Sequence, residues 1–321
     1  MADEGRPDSV VAAFGMPLTG PPATDSPAVL AVGNFDGVHL GHQRLLAAAR
    51  RMAGEQGVVV AVTFEPHPSH LLRPAAVPGL LTPLQMRRRL LSRVGVDAIQ
   101  VVPFNDRLRA MEPDEFLDRL RHRYPVIGLV GGPRLSLGRA GTGGIDFVRR
   151  YARDQRLRLE VVNPVRVGET EVSSTQLRRL LQEGRVEEYP GFTGAPFEAM
   201  GEVVAGDGLG RGLGFPTANI QTLPAQLLPP DGVYVMTWRR AAGQPQPAVG
   251  SIGLRPHFQG RDRRFEVHGL GPTPELYGAD VTVAVLRRLR GQMAFGSDSD
   301  LVRQMETDRR AAEDFFAGAG S

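Results

Sequence analysis

The hydrophobic positions of this chain change their period near residue 189. Before that point, short apolar runs alternate with helical stretches. Val29 to Val32 is an apolar run, a glycine-containing turn follows, and Gln43 to Met52 repeats its apolar positions at helical spacing. Val58 to Phe64 predicts a second strand, Pro83 to Val94 a helix, Ala98 to Val102 a third strand and Pro113 to Arg123 a helix. Val126 to Val130 and Leu157 to Val162 predict two further strands, and Ser174 to Glu183 a helix. Strands alternating with helices predict an α/β fold with a doubly wound parallel sheet. After Tyr189-Pro190-Gly191, β-type runs dominate: Glu202 to Val204, Gly232 to Trp238, Ala248 to Ile252, Arg264 to His268 and Val281 to Leu286. Turn residues separate them at the spacing of a small β-barrel. A terminal helix is expected from about Ser299 to Phe316, with Leu301, Met305 and Phe315 among its apolar positions. The expected organisation is a flexible leader over 1–26, an α/β domain over 27–187 and a barrel domain over 188–321.

Composition narrows the chemistry. At 321 residues the chain exceeds what one core usually serves, which agrees with two domains. With 41% hydrophobic and 23% charged residues it has the balance of a soluble globular protein. No apolar stretch approaches the roughly 20 residues of a membrane helix. Asp3 and Glu4 stand where a signal peptide would be basic and apolar, so a cytoplasmic protein without a membrane partner is expected. There is no Cys, which excludes disulfides, thiolate nucleophiles and Cys-ligated metals. All 38 basic side chains are Arg, so a Walker-type phosphate loop, which needs Lys, is excluded. Phosphate chemistry then falls to Arg, backbone amides, His or a metal. The formal charge is only +3, and the Arg87-Arg88-Arg89 and Arg287-Arg288 clusters, interspersed with leucines, read as element faces with solvated heads. No nucleic-acid partner is expected.

Two segments carry candidate chemistry. Gly33-Asn34-Phe35-Asp36-Gly37-Val38-His39-Leu40-Gly41-His42 lies where the first strand ends and the first helix begins, the ligand-binding edge of an open α/β sheet. Its glycines let backbone amides approach a phosphate, the helix adds its positive end, and two imidazoles three residues apart can face one anion. These features suit a nucleoside triphosphate. The segment resembles the signature of the HxGH nucleotidyltransferase superfamily, in the form seen in bacterial FAD synthetases. The resemblance implies that His39 and His42 stabilise charge on the α-phosphate while an FMN phosphate attacks and pyrophosphate leaves. Gly33, Phe35, Asp36, Gly37 and Gly41 would then bind nucleotide. Thr63-Phe64-Glu65-Pro66-His67-Pro68 also fits the family, although His67 alone reads equally as a loop cap. Ser173-Ser174-Thr175-Gln176-Leu177-Arg178 matches the family's S-S-T-x-x-R segment, which implies nucleotide binding by Ser174 and Thr175 and a catalytic Arg178. Two places depart from the family. Gly132-Pro133-Arg134 replaces its usual aromatic or polar residue, Asp or Asn, and Phe, and Glu171 replaces an Arg. A carboxylate at 171 is expected to repel a triphosphate unless a metal or an Arg pairs with it.

The second segment is Gly206-Asp207-Gly208-Leu209-Gly210-Arg211-Gly212-Leu213-Gly214-Phe215-Pro216-Thr217-Ala218-Asn219-Ile220. Its glycines allow backbone contact with phosphates, and a hydroxyl and an amide two residues apart on extended chain can reach one Mg²⁺. The string resembles the riboflavin kinase signature. Asp231 to Tyr234, Ile252 to Pro256, Phe265 to His268, Leu276 to Gly278 and Arg290 to Phe295 follow in the order of that family. Ser251, His257, Gly271 and Ala195 depart from it. The resemblance implies a six-stranded barrel, nucleotide binding by Gly208, Gly210, Arg211, Gly214 and Pro216, Mg²⁺ held by Thr217 and Asn219 with ATP as co-substrate, and Glu266 as the base. As a whole the chain resembles bifunctional riboflavin kinase/FAD synthetases, with riboflavin, FMN and ATP as its expected small-molecule partners. Two other readings stay open at this point. One is a diverged paralogue whose first domain is silent or uses another phosphorylated acceptor, and the other is a flavin-binding regulator.

Overall fold

The computed structural model describes residues 25–72, 79–206, 212–240, 243–254, 263–272, 274 and 276–319. Gly208, Gly210, Arg211, His257 and most of the expected leader lie outside the described residues. By its internal packing the chain divides into two compact units, one of residues 1–78 with 84–173 and the other of residues 79–83 with 174–321.

The first unit is built on a five-stranded parallel sheet. Its strands are β1 (Ala28–Val32), β2 (Val58–Glu65), β3 (Ala98–Pro103), β4 (Val126–Gly131) and β5 (Arg158–Val161), in the order β3-β2-β1-β4-β5. Every residue of β1 is buried, so side chains of both parities meet apolar partners, as a strand covered on both faces requires. On one face Ala28, Leu30 and Val32 join Val60 and Val62 against Phe116, Leu117 and Leu120 of helix α3 (Pro113–Arg123) and Val148 and Tyr151 of helix α4 (Ile145–Asp154). On the other, Val29 and Ala31 pack on Leu45, Leu46, Ala48 and Ala49 of helix α1 (Leu40–Ala53) and on Leu91 of helix α2 (Leu84–Arg93). Each fully buried aliphatic side chain contributes about 1.5 to 3 kcal/mol through removal from water. The expectation of a doubly wound sheet is met, with α4 an added helix. After β5 comes a two-strand hairpin, β6 (Arg166–Val167) and β7 (Thr170–Glu171), with Arg166 opposite Glu171.

The second unit opens with helix α5 (Ser174–Gln182) and contains a closed antiparallel barrel. The strands are β8 (Phe197–Val204), β9 (Ala218–Thr222), β10 (Gly232–Arg240), β11 (Gln246–Leu254), β12 (Arg263–Gly269) and β13 (Asp280–Arg290), in the order β8-β9-β12-β11-β10-β13. Sequence periodicity finds five of them; the sixth, β9, lies inside the glycine-rich motif and carries Asn219. Helix α6 (Asp298–Ala319) packs Ala312, Phe315 and Phe316 against Val233, Val235 and Val249. Arg290 on β13 grips Asp308 of α6 with one forked edge of its guanidinium, Nε donating to Oδ1 at 3.0 Å and Nη2 to Oδ2 at 2.7 Å. The segment 79–83 joins this unit through Leu80, whose N–H donates to Ala225 and whose carbonyl accepts from Leu227, both at 2.8 Å.

Candidate active sites

In the first unit, the turn between β1 and α1 is held in a strained path. Phe35, Gly37 and Val38 have φ of 52°, 85° and 38°. Positive φ is rare for an aromatic or β-branched residue and persists only where the surroundings enforce it. The enforcement is visible. Gly33 N–H donates to Val62 O at 3.0 Å, Val38 N–H donates to Phe35 O at 3.2 Å, and the Gln43 side-chain amide donates to Val38 O at 2.9 Å. Phe35 and Asp36 are fully buried beneath the turn.

The turn delivers two imidazoles to the start of α1. His39 is the N-cap residue, and its Nδ1 accepts from the His42 N–H at 3.3 Å. A neutral ring that accepts at Nδ1 carries its proton on Nε2, which leaves one N–H for an incoming anion. The rings of His39 and His42 stack with centroids 3.6 Å apart, and the edge of Phe35 meets His42 at 5.2 Å. Gly41 makes this possible, because a Cβ there would lie 3.0 Å from His39 Nδ1. Burial pushes His39 down to about 4, against the opposing pull of Asp36. His42 is held well below the ordinary imidazole value by burial first, then by its charged-state repulsion with His39 and Arg87. Its Nδ1 is buried without a hydrogen-bond partner among the described residues. Two neutral imidazoles at a helix N-terminus form a site that an anion completes.

Beneath them lies a cation that sequence reasoning misassigned. Arg88 is exposed, but the Arg87 side chain is 0% exposed. Its Nη1 donates to Thr63 Oγ1 at 2.9 Å and to Phe64 O at 3.0 Å, and its Nη2 lies 3.6 Å from Glu65 Oε2. Thr63 in turn donates to Asn34 O at 3.0 Å, so the buried guanidinium braces the strained turn through one hydroxyl. The available signal was its spacing, since Arg87 shares a helical face with buried Leu91. His67 acts within its own loop, where its Nδ1 accepts from Ser69 N–H at 3.2 Å and lies 2.6 Å from Ser69 Oγ.

The S-S-T-x-x-R segment falls at the division between the units, with Ser173 last in the first and Ser174 first in the second. Ser174, Thr175 and Arg178 lie on α5, and Arg178 Nε donates to the Gly79 carbonyl at 2.9 Å within the second unit.

In the barrel, three side-chain positions form a row across adjacent strands. Asn219 of β9 is register-paired with Glu266 of β12, and Glu266 with Ser251 of β11. Directly opposed residues project to the same face of a sheet, with Cβ atoms about 5 Å apart. Phe265 and Val267, on the opposite face, are buried in the barrel. Asn219 Oδ1 is buried and has no hydrogen-bond partner among the described residues. Gly206 allows that arrangement, since a Cβ there would fall 2.0 Å from Asn219 Nδ2. Thr217 stands two residues before Asn219, just ahead of the strand, and Gly214 takes φ 85° in the preceding turn. Pro216 is anchored by His268 Nδ1, which donates to its carbonyl at 2.8 Å, while Phe215 packs on the same imidazole. An orphaned hard oxygen beside a carboxylate suits a divalent cation such as Mg²⁺.

Residues 22–176 match the FAD synthetase family and residues 193–316 the riboflavin kinase family. A bifunctional riboflavin kinase/FMN adenylyltransferase from Listeria monocytogenes is 34% identical over 304 residues, which cover 94% of this chain and 96% of that protein. Its namesake from Pseudomonas fluorescens is 36% identical, over 88% of this chain and 91% of its own. Among solved structures, a Streptococcus pneumoniae protein described as a macrolide-efflux protein superposes with TM-score 0.81 and 30% identity, covering 90% of this chain and 95% of that one. No helix among the described residues is long and apolar enough to cross a membrane. With one family matching each half in the order of the two motifs, and relatives matching over nearly the whole length, this chain belongs to the bifunctional riboflavin kinase/FMN adenylyltransferase family.

Proposed function

We propose that the barrel unit transfers the γ-phosphoryl group of ATP to the ribityl 5′-hydroxyl of riboflavin, giving FMN, and that the parallel-sheet unit transfers the adenylyl group of ATP to FMN, giving FAD and pyrophosphate. The observation that carries this reading is the register of Asn219 with Glu266, which pairs a carboxylate residue with an amide whose buried oxygen has no hydrogen-bond partner among the described residues, on one face of the barrel. Thr217 and Asn219 would hold Mg²⁺ together with the nucleotide, because two neutral oxygens alone make a weak site for a divalent cation. When bound, the ion neutralises charge on the β- and γ-phosphates. Glu266 accepts the proton of the 5′-hydroxyl as its oxygen bonds to the γ-phosphorus and ADP leaves.

In the other unit an FMN phosphate oxygen attacks the α-phosphorus. His39, donating from Nε2, and His42 receive the charge that builds on the non-bridging oxygens as pyrophosphate departs. Both rings are kept neutral before the nucleotide arrives, so they bind as hydrogen-bond donors without a prior charge to desolvate.

Incubation of the protein with riboflavin, ATP and Mg²⁺, with FMN, FAD and pyrophosphate resolved by chromatography, tests both halves. Glu266→Gln is expected to lower FMN formation by roughly 10² to 10⁴ fold, the usual contribution of a positioned base, and to leave FAD formation from supplied FMN unchanged. Undiminished FMN formation in that variant would remove Glu266 from the mechanism.

A further inference from the structure

The first unit brings together the two segments at which its sequence departs from the FAD synthetase pattern. Arg134, in the turn after β4, donates from Nη2 to Oε1 of Glu171 at the end of β7. The pair sits beside the histidine turn on two grounds. Strand β4 runs parallel to β1 as its direct neighbour, so the turn that follows Gly131 opens at the same sheet edge as the turn that carries His39. The carbonyl of Val172, the residue after Glu171, faces Gly41 of the H-x-G-H turn, 3.8 Å from where a Cβ would stand.

Exposure orders the two charges. The Arg134 side chain is 72% exposed and that of Glu171 34%, so the guanidinium is the outer partner. An unpaired carboxylate here would repel a polyphosphate, but Glu171 is matched by Arg134 and lies opposite Arg166 in the hairpin register. The guanidinium has five N–H donors, of which this pair uses one. An exposed ion pair contributes only about 0 to 1 kcal/mol, whereas an Arg bound to phosphate through two N–H groups makes a stronger, charge-assisted contact. An arriving polyphosphate can therefore draw Arg134 onto itself with little loss.

Resting on the adenylyl-transfer reading above, we infer that Arg134 is a polyphosphate-binding residue of the adenylyl site and that Glu171 is a positioning residue that holds it at the mouth. In a chain without Lys, the Arg134–Glu171 pair supplies from a different loop the positive charge that the carboxylate at 171 displaces.

The test is the KM for ATP in FAD formation from supplied FMN, with FMN formation from riboflavin followed alongside. Arg134→Ala is expected to raise this KM by about 10 to 100 fold, the size of one lost charge-assisted contact, to flatten its dependence on salt, and to leave FMN formation unchanged. Glu171→Gln is expected to raise the KM less, at constant kcat, and Glu171→Asp to restore most of the loss. An unchanged KM in Arg134→Ala, while His42→Ala abolishes FAD formation, overturns this inference and leaves the adenylyl-transfer reading standing. A lower KM in Glu171→Gln overturns the positioning role, because it shows the carboxylate repelling nucleotide. FAD formation that survives His42→Ala undiminished overturns the reading of the site itself.

Discussion

The imidazole of His39 caps α1 through Nδ1, stacks on His42, and stays neutral because burial outweighs the attraction of Asp36. This has a sign that can be checked. An unfolded imidazole takes its proton near 6.5, whereas the folded one takes it at about 4. Between those values the unfolded chain binds more protons, so stability falls as pH drops from 6.5 towards 4. His39→Asn keeps a good N-cap acceptor and removes the titration. From pH 7 to pH 4 the unsubstituted protein is expected to lose on the order of 3 kcal/mol more unfolding free energy than the variant, read from urea midpoints. Parallel pH curves for the two proteins would show that the ring is not held neutral by the fold.

Elements place the chemistry through their ends and their registers. Helix α2 contributes one side chain, Arg87, which spans from the helix to Thr63 and Phe64 at the end of β2 and from there to the strained turn. Arg87→Met, similar in length but uncharged, leaves the Phe64 carbonyl without this donor and Glu65 without its cation. A loss of about 2 to 4 kcal/mol in unfolding free energy is expected, from breaking buried polar pairing. A change below about 0.5 kcal/mol would mean that the network contributes nothing to stability. In the barrel, the β9–β12 register performs the comparable task, since a slip of one residue would turn Asn219 and Glu266 to opposite faces.

At the scale of the whole molecule, each unit has its own core and its own motif. The paired change Thr217→Ala and Asn219→Ala is therefore expected to abolish FMN formation while FAD formation from supplied FMN continues at its original rate. Separate assays of the two steps on the same preparation, with circular dichroism as the folding control, decide it. Joint loss of both activities with the fold intact would require a shared site.

The sequence alone determined the class of both units, their main strands and helices apart from α4, β9 and the β6–β7 hairpin, and the two motifs, because these depend on local rules. Apolar period reports strand or helix, glycine marks turns, and H-x-G-H or P-T-A-N places side chains only two or three residues apart. Where an outcome depended on contacts distant in the chain, the tertiary structure decided it. Arg87 reads as one solvated guanidinium among three until Thr63, Phe64 and Glu65 surround it. Glu171 carries a repulsive charge in the sequence, and the fold supplies Arg134 from 37 residues away. Strand β9 is hidden in a glycine-rich string because its identity comes from pairing with β8 and β12 rather than from its own pattern. Charge neutralisation and strand pairing are properties of neighbours in space, and only folding chooses those neighbours.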